Sequence, residues 1–337
     1  MRIAIVSDDQ QPAREELSHV AALRRVFLEE ICAVELADVV ISTSHRAAGT
    51  VTVAMNVPHV CYVTDVDDTI PIAENDRLQR FDAQFATQSP ATLTATEVER
   101  FAALKITHYL AGNAAAAARL RQEIGQPVKV IYPAVDTHFF RPQKQRRSNH
   151  FLVIADPADT HALELAVEAT RQTGRGLVVG VESSAPLSPL SPQDRHVEFV
   201  DITDPAELYD QLCRCQALLC LRTSSFDTNV IRAQACGTPV LVPAGGCLAE
   251  LILDAEQPGP GTGLLIDELT PAGVASAMLE LERRPHKCSA ALASAQAQTF
   301  SHPRFELEIR NYLDAVLAAW LTHVPDTAIG DEQRRAA

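Results

Sequence analysis

The residues best suited to chemistry follow an apolar run at positions 217–221, in the stretch ALLCLRTSSFDTNVIRAQACGTPVLVPAGGCLAE. Ser224, Ser225 and Thr228 supply hydroxyls there, Asp227 a carboxylate and Arg232 a guanidinium, with Phe226 among them. Such a set at the carboxyl end of a buried strand suits the capture of a polar ligand, because open α/β sheets bind ligands where strands give way to loops. A second candidate is the acidic run Asp65-Val66-Asp67-Asp68-Thr69 after the apolar segment 60–64.

The elements that must position these groups can be read from periodicity and breakers. The run 217–221 predicts a buried strand, residues 227–236 a short helix closed by Gly237, and residues 240–243 a second strand before the Gly245-Gly246 turn. This is one strand-loop-helix-strand unit of an open α/β sheet. Upstream, strands are expected at residues 2–6, 38–42, 60–64 and 106–110, with helices at 12–31 and 114–124. Downstream, strands are expected at 151 onward, 177–180, 197–200 and 264–266. A helix at 206–215 has Pro205 in its first turn. From Pro303, the spacing of Phe305, Ile309, Leu313, Val316 and Trp320 predicts a long amphipathic helix.

Composition bounds the answer. A chain of 337 residues with 47% apolar and 21% charged residues can form two soluble domains, each with its own core. No apolar run reaches membrane-spanning length. A net charge of −14 excludes a general nucleic-acid binder. The start, MRIAIVSDD, enters a strand without a basic leader, and a cytoplasmic location is expected. Eight scattered cysteines read as free thiols; Cys213 and Cys215 have no second pair at zinc-ligand spacing, so no metal site is expected.

Phe226, Ala233, Ala235, Cys236, Gly237, Thr238, Pro239, Val240, Gly245, Gly246 and Glu250 reproduce a run of F, A-x-A-C-G-T-P-V, G-G and E. That run resembles the donor segment of family 4 glycosyltransferases, especially the bacterial polysaccharide mannosyltransferase-like branch. Residues 130–142, VIYPAVDTHFFRP, resemble the same family's crossing between domains. The resemblance implies a GT-B fold: two Rossmann-like, doubly wound parallel-sheet α/β domains facing a cleft. It implies a shortened acceptor-side domain at 1–142, a donor-side domain at 143–300, a helix at 301–324 returning to the first domain, and a disordered tail at 325–337. It also implies retaining hexosyl transfer from a GDP- or UDP-sugar to a glycan acceptor, with no cofactor besides that donor.

Several positions depart from the family. Its paired glutamates fall on Ser224 and Arg232, its diphosphate-holding arginine and lysine on Asp156 and His161, and its helix-starting glycine on Asp227. Gly180 keeps the first glycine of a G-x-G, and Phe199 lies in a strand matching the family's V-E-F-L-G. A carboxylate at a helix start satisfies the backbone donors that would otherwise receive phosphate. The donor cleft candidates are therefore Gly180, Phe199, Ser224, Ser225, Phe226, Asp227, Thr228, Arg232, Gly245 and Gly246, and Asp156 is expected to pair with Arg232 across an emptied pocket. Two alternatives stand beside an active transferase. One is a pseudoenzyme that partners an active glycosyltransferase. The other is a Mg²⁺-dependent phosphatase using Asp65 and Asp67, whose D-x-D-x-T resembles the haloacid-dehalogenase opening; that resemblance implies that Asp65 attacks phosphorus and Asp67 handles the leaving-group proton, with Mg²⁺ offsetting the charge.

Overall fold

The computed structural model describes residues 1–7, 16–43, 48, 57–63, 106–144, 147–155, 160–181, 196–223 and 226–323. In chain order the first elements are β1 (Ile3–Val6), α1 (Glu16–Val26), β2 (Val39–Ser42), β3 (His59–Val63), β4 (His108–Ala111), α2 (Ala114–Ile124) and β5 (Val128–Val130). There follow β6 (His150–Ile154), α3 (Thr160–Thr173), β7 (Gly176–Val181), β8 (Val197–Asp201), α4 (Pro205–Arg214), β9 (Leu218–Leu219) and α5 (Thr228–Ala235). The chain closes with β10 (Val240–Pro243), β11 (Gly263–Ile266), α6 (Pro271–Arg283), α7 (Ala290–Gln298) and α8 (His302–His323).

These elements form two compact units, Met1–Ala134 with Pro303–Ala337, and Val135–His302. The division falls at Val135 rather than at residue 143, because the crossing segment is already bonded into the second unit. Val135 N donates to Phe300 O at 2.9 Å, and the Thr137 hydroxyl donates to Gln298 Oε1 at 2.9 Å.

In the first unit, the described strands are parallel and run in sequence order, β1 to β5. The doubly wound order expected for both sheets is seen in the second; the first has no reversal among the described residues. Strands β2 and β3 read VVIS and HVCYV and are buried along their length, the continuous apolar pattern of a parallel strand covered on both faces. Asn113 caps α2 by accepting Ala116 N at 2.7 Å, and Gly125 ends it at φ 65°. Helix α8 lays Phe305, Ile309, Leu313 and Val316, at most 4% exposed, into the core with Ile3, Leu23, Phe27 and Tyr62. At about 2 kcal/mol for each large apolar side chain, that stripe is a main stabiliser of the unit. Arg310 lies 4.9 Å over the Phe27 ring and pairs with Glu30 at 2.9 Å.

In the second unit, six parallel strands among the described residues run in the order β11-β10-β9-β6-β7-β8. One face of the sheet packs in a single core: Phe151, Val153, Leu177, Leu219 and Leu241 with Leu163 and Ala166 of α3 and Val274 and Met278 of α6. Helices α6 and α7, which the sequence reading left unassigned, begin at Thr270 and Ser289, whose hydroxyls accept Gly273 N at 3.1 Å and Leu292 N at 3.2 Å. Strand β9 spans Leu218–Leu219 rather than 217–221, because its neighbours β6 and β10 pair with those two residues alone.

Candidate functional site

Strands β6 and β9 are hydrogen-bonded neighbours although β7 and β8 intervene in sequence. Here the sheet's connections change direction, the place where open α/β sheets carry a ligand crevice. It is lined by Val153, Ile154 and Ala155 at the end of β6, Ala162 and Leu163 of α3, residues 218–222 of and after β9, and Asp227.

Asp227 is the N-cap of α5. Its Oδ1 accepts Asn229 N at 2.8 Å and its Oδ2 accepts the Cys220 thiol at 3.2 Å, and the residue is 7% exposed. Both oxygens of the buried carboxylate are thus engaged by the protein, and a donor at the helix start that could receive an anion is occupied. Phe226 and Thr228 on either side are buried.

Two lining residues were not singled out as site candidates from sequence. Arg222 brings a cation to the crevice, and Cys220 holds the Asp227 carboxylate. Their signal was position: Cys220 and Arg222 fall at the carboxyl end of the apolar run, where side chains at a switch point face the ligand.

The other expected residues divide. Gly246 sits at φ +106°, and a Cβ there would come 2.4 Å from Thr223 O, so the turn presses against the loop that follows β9. Gly245 has open space around its Cβ direction. Gly180 lies beside the crevice, its carbonyl accepting Ala155 N at 2.9 Å, but the space beside it is filled by Ile202 at 3.0 Å. Phe199 is in β8, which β7 separates from β6, and is 46% exposed. His161 is exposed in the first turn of α3.

Arg232 is not among the lining residues. Its guanidinium lies 5.4 Å over the Phe140 ring and donates to Asn229 Oδ1 at 2.9 Å. The ring is itself fixed by neighbours, with Phe139 at 5.0 Å and Tyr209 at 6.1 Å between centroids. Asp156, Ser224, Ser225, Asp65 and Asp67 lie outside the described residues, as do the expected Asp156 partner of Arg232 and the tail 325–337. Among the described residues, no group of three or more His, Cys, Asp or Glu could hold a metal ion, and no helix is long and apolar enough to cross a membrane.

No family model matches the sequence. The D-inositol 3-phosphate glycosyltransferase of Kineococcus radiotolerans is 29% identical over 211 residues, which are 51% of this chain and 48% of that protein. The match therefore spans about half the length of that curated relative. Among solved structures, HepE of Anabaena in complex with UDP superposes with a TM-score of 0.70 at 14% identity, covering 94% of this chain and 100% of that one. Sucrose-phosphate synthase from Thermosynechococcus elongatus gives 0.68 at 16% identity, over 92% of this chain and 82% of that one. This is the GT-B glycosyltransferase fold. At such identities the likeness fixes the GT-B architecture of both units, and the crevice side chains must be read from their own geometry.

Proposed function

We propose that this chain is a GT-B protein of the family 4 glycosyltransferase kind, working in bacterial glycan assembly as the non-catalytic partner of an active glycosyltransferase. The observation that carries the reading is the buried Asp227 carboxylate bonded to Asn229 N at 2.8 Å. A sugar nucleotide brings about two negative charges on its diphosphate, and a site without metal receives them on cations or helix N-termini. At α5 the helix terminus meets a protein anion instead, and a phosphate brought there would face repulsion and lose a donor. Arg232, on the same helix, is engaged with Phe140 and Asn229.

Calorimetric titration with UDP-glucose and GDP-mannose tests the reading. The expected result is no saturable binding tighter than about 1 mM. Co-purification of an active glycosyltransferase with the tagged chain from its own cells completes the expectation. Micromolar donor binding, or sugar transfer by the purified protein alone, overturns it.

One observation favours a second reading, an active retaining transferase using a GDP- or UDP-hexose and a glycan acceptor. Arg222 lines the crevice at the carboxyl end of β9, where one guanidinium could hold a diphosphate oxygen. The structural neighbour HepE is described with UDP and with UDP-glucose, which supports the same ligand class. Loss of nucleotide binding in Arg222→Ala would favour this reading. A generic phosphatase assay with an Asp65→Asn control separates the remaining alternative.

A further inference from the structure

A sheet presents a row of backbone donors and acceptors at each edge, and a chain that stays single normally covers them. Among the described residues, the two sheets have four edges, and three of these are met by the chain itself. At β1, Ile3 N donates to Glu30 O at 2.9 Å and Ile3 O accepts Cys32 N at 3.0 Å. At β5 the Val128 carbonyl accepts from Arg121 Nη2 at 2.6 Å, and at β11 the Gly263 carbonyl accepts Ala255 N at 2.9 Å.

The fourth edge, β8, is different. Leu177 N donates to His196 O and Ile202 N to Val181 O, each at 2.8 Å, so the even-numbered residues of this stretch turn their backbone groups to β7. Val197, Phe199 and Asp201 therefore turn theirs outward, and among the described residues no strand pairs with that side. The strand meets β7 residue for residue along its length and carries no proline, lysine or bulge of the kind that blunts an edge. None of its residues is buried, and Phe199 at its centre is 46% exposed.

We propose that β8 pairs antiparallel with β8 of a second copy of this chain, about a two-fold axis at Phe199, so that the two sheets become one. The surface lies apart from the crevice, and nothing in the proposed function requires it.

The occupant follows from the strand's own symmetry. A two-fold interface sets residue i against j and j against i. With Phe199 on the axis, Phe199 faces its own counterpart and Val197 faces Asp201 of the partner subunit. Every outward residue then meets an outward residue, and each facing pair exchanges both backbone bonds. A foreign strand would need no such symmetry. Charge fixes the register. Glu198 lies opposite Val200 of the partner subunit, and Asp201 opposite Val197 of the partner subunit, so each acid meets an apolar residue. A slip that puts Glu198 on the axis sets two carboxylates directly opposite each other, which destabilises the pair. A slip onto Val200 sets Phe199 against Asp201 of the partner subunit and Val197 past the end of the partner strand. Centring on Phe199 instead brings two rings together as a cross-strand aromatic pair.

The test is sedimentation velocity of the full-length chain from nanomolar to hundreds of micromolar. The expected result is a concentration-dependent rise to twice the chain mass. Phe199→Lys places like charges on the axis and removes the aromatic pair, and should weaken the dimer at least about 10-fold. Phe199→Pro removes an outward N–H that β7 does not use, a change an edge strand tolerates, and should weaken the dimer as well. Thermal melting of both variants checks that the fold is kept. Phe199→Cys should oxidise to a covalent dimer joined through position 199, because directly opposed residues of such a pair lie about 5.5 Å apart, within disulfide reach. Glu198→Cys, which faces a valine, should not. The proposal is overturned if the chain stays monomeric throughout, if Phe199→Lys leaves the dimer unchanged, or if Glu198→Cys cross-links and Phe199→Cys does not. Capture of a different protein by a monomeric chain, lost in the same variants, also overturns it, since β8 then serves a foreign strand. Donor titration is untouched by any of these outcomes, so this proposal and the proposed function fail separately.

Discussion

Replacing Asp227 by glycine puts the electrostatic reading of the crevice to its most direct test. The carboxylate bonds Asn229 N at 2.8 Å and the Cys220 thiol at 3.2 Å. Exchanging an N-cap aspartate for glycine costs only a few tenths of a kcal/mol, and the thiol is a weak donor, so the variant should stay folded. What it gains is an uncovered helix start. One charge-assisted bond between a freed amide and a phosphate oxygen is worth about 1.5–3 kcal/mol. At about 1.4 kcal/mol per decade, the affinity for UDP should rise roughly 10- to 100-fold. Asp227→Asn keeps a capping oxygen without the charge, so its rise should be smaller, and the difference between the two variants separates repulsion from occupancy. Calorimetric titration of all three proteins with UDP at one ionic strength measures this, with thermal melting as the check on folding. If Asp227→Gly melts cooperatively and binds UDP no more tightly than the parent chain, the carboxylate is not what keeps phosphate out.

Three further outcomes are expected. His59 is 3% exposed with Nε2 3.0 Å from Ser42 Oγ, and burial pushes its pKa down to about 4. Because that value lies below the unfolded value, the unfolded chain takes up the proton first on acidification. The neutral ring therefore costs no stability above about pH 6.5, and about 3 kcal/mol is lost as pH falls towards 4. Urea unfolding at both ends of that window should show the loss in the parent chain and a smaller one in His59→Gln; equal losses would refute it. Phe305→Ala, which empties a fully buried position of α8, should cost about 3–5 kcal/mol in the same assay; a cost under about 1 kcal/mol would mean the helix does not depend on that contact. Gln234 is fully buried, with Nε2 donating to Leu251 O at 3.0 Å and Oε1 without a partner among the described residues. The orphaned oxygen costs about 1–3 kcal/mol and the bond returns about 1 kcal/mol, so Gln234→Met should be neutral or stabilising, and a marked fall in melting temperature would contradict it.

The elements that sequence revealed most sharply are those whose ends carry their own chemistry. Helix α2 runs between Asn113, which accepts Ala116 N, and Gly125 at φ 65°, and its predicted limits match the observed ones. Strand β10 was equally legible as four buried residues between Pro239 and Ala244. Helix α7 was missed because its run AALASAQAQ offers no apolar stripe: small residues occur on every side, and only Ala293 and Ala297 are buried. At the site, Asp227 was visible as a cap because helix caps are local. The Cys220 thiol that shares its carboxylate depends on the approach of a strand end to a helix start, and the position of Arg232 over Phe140 joins residues far apart in the chain. Such contacts are set by packing, which no local pattern encodes.

The same distinction bears on the proposed reading, in which the frame of a glycosyltransferase is kept while the charges of its donor site are not. Gly237 stands at φ +75°, where a Cβ would also meet Ala290 Cβ at 3.0 Å, and Gly246 at φ +106°, where a Cβ would strike Thr223 O at 2.4 Å. Thr238 is fully buried, its hydroxyl bonded to Leu212 O and to Arg147, and the carbonyl of Gly237 accepts from the same guanidinium. Each of these residues is needed to bring α5 back to the sheet through a tight turn, whatever the crevice binds. Backbone at positive φ and a buried, doubly bonded hydroxyl would cost stability if replaced, on the order of 1–3 kcal/mol each, against a total margin of about 5–15 kcal/mol. The charges at Asp227 and Arg232 can change at far smaller cost to folding. Each has found bonds of its own, Asp227 to the helix it caps and Arg232 to Phe140 and Asn229. A match to the A-C-G-T-P-V run therefore speaks for the fold, and only the groups that meet the ligand can speak for transfer.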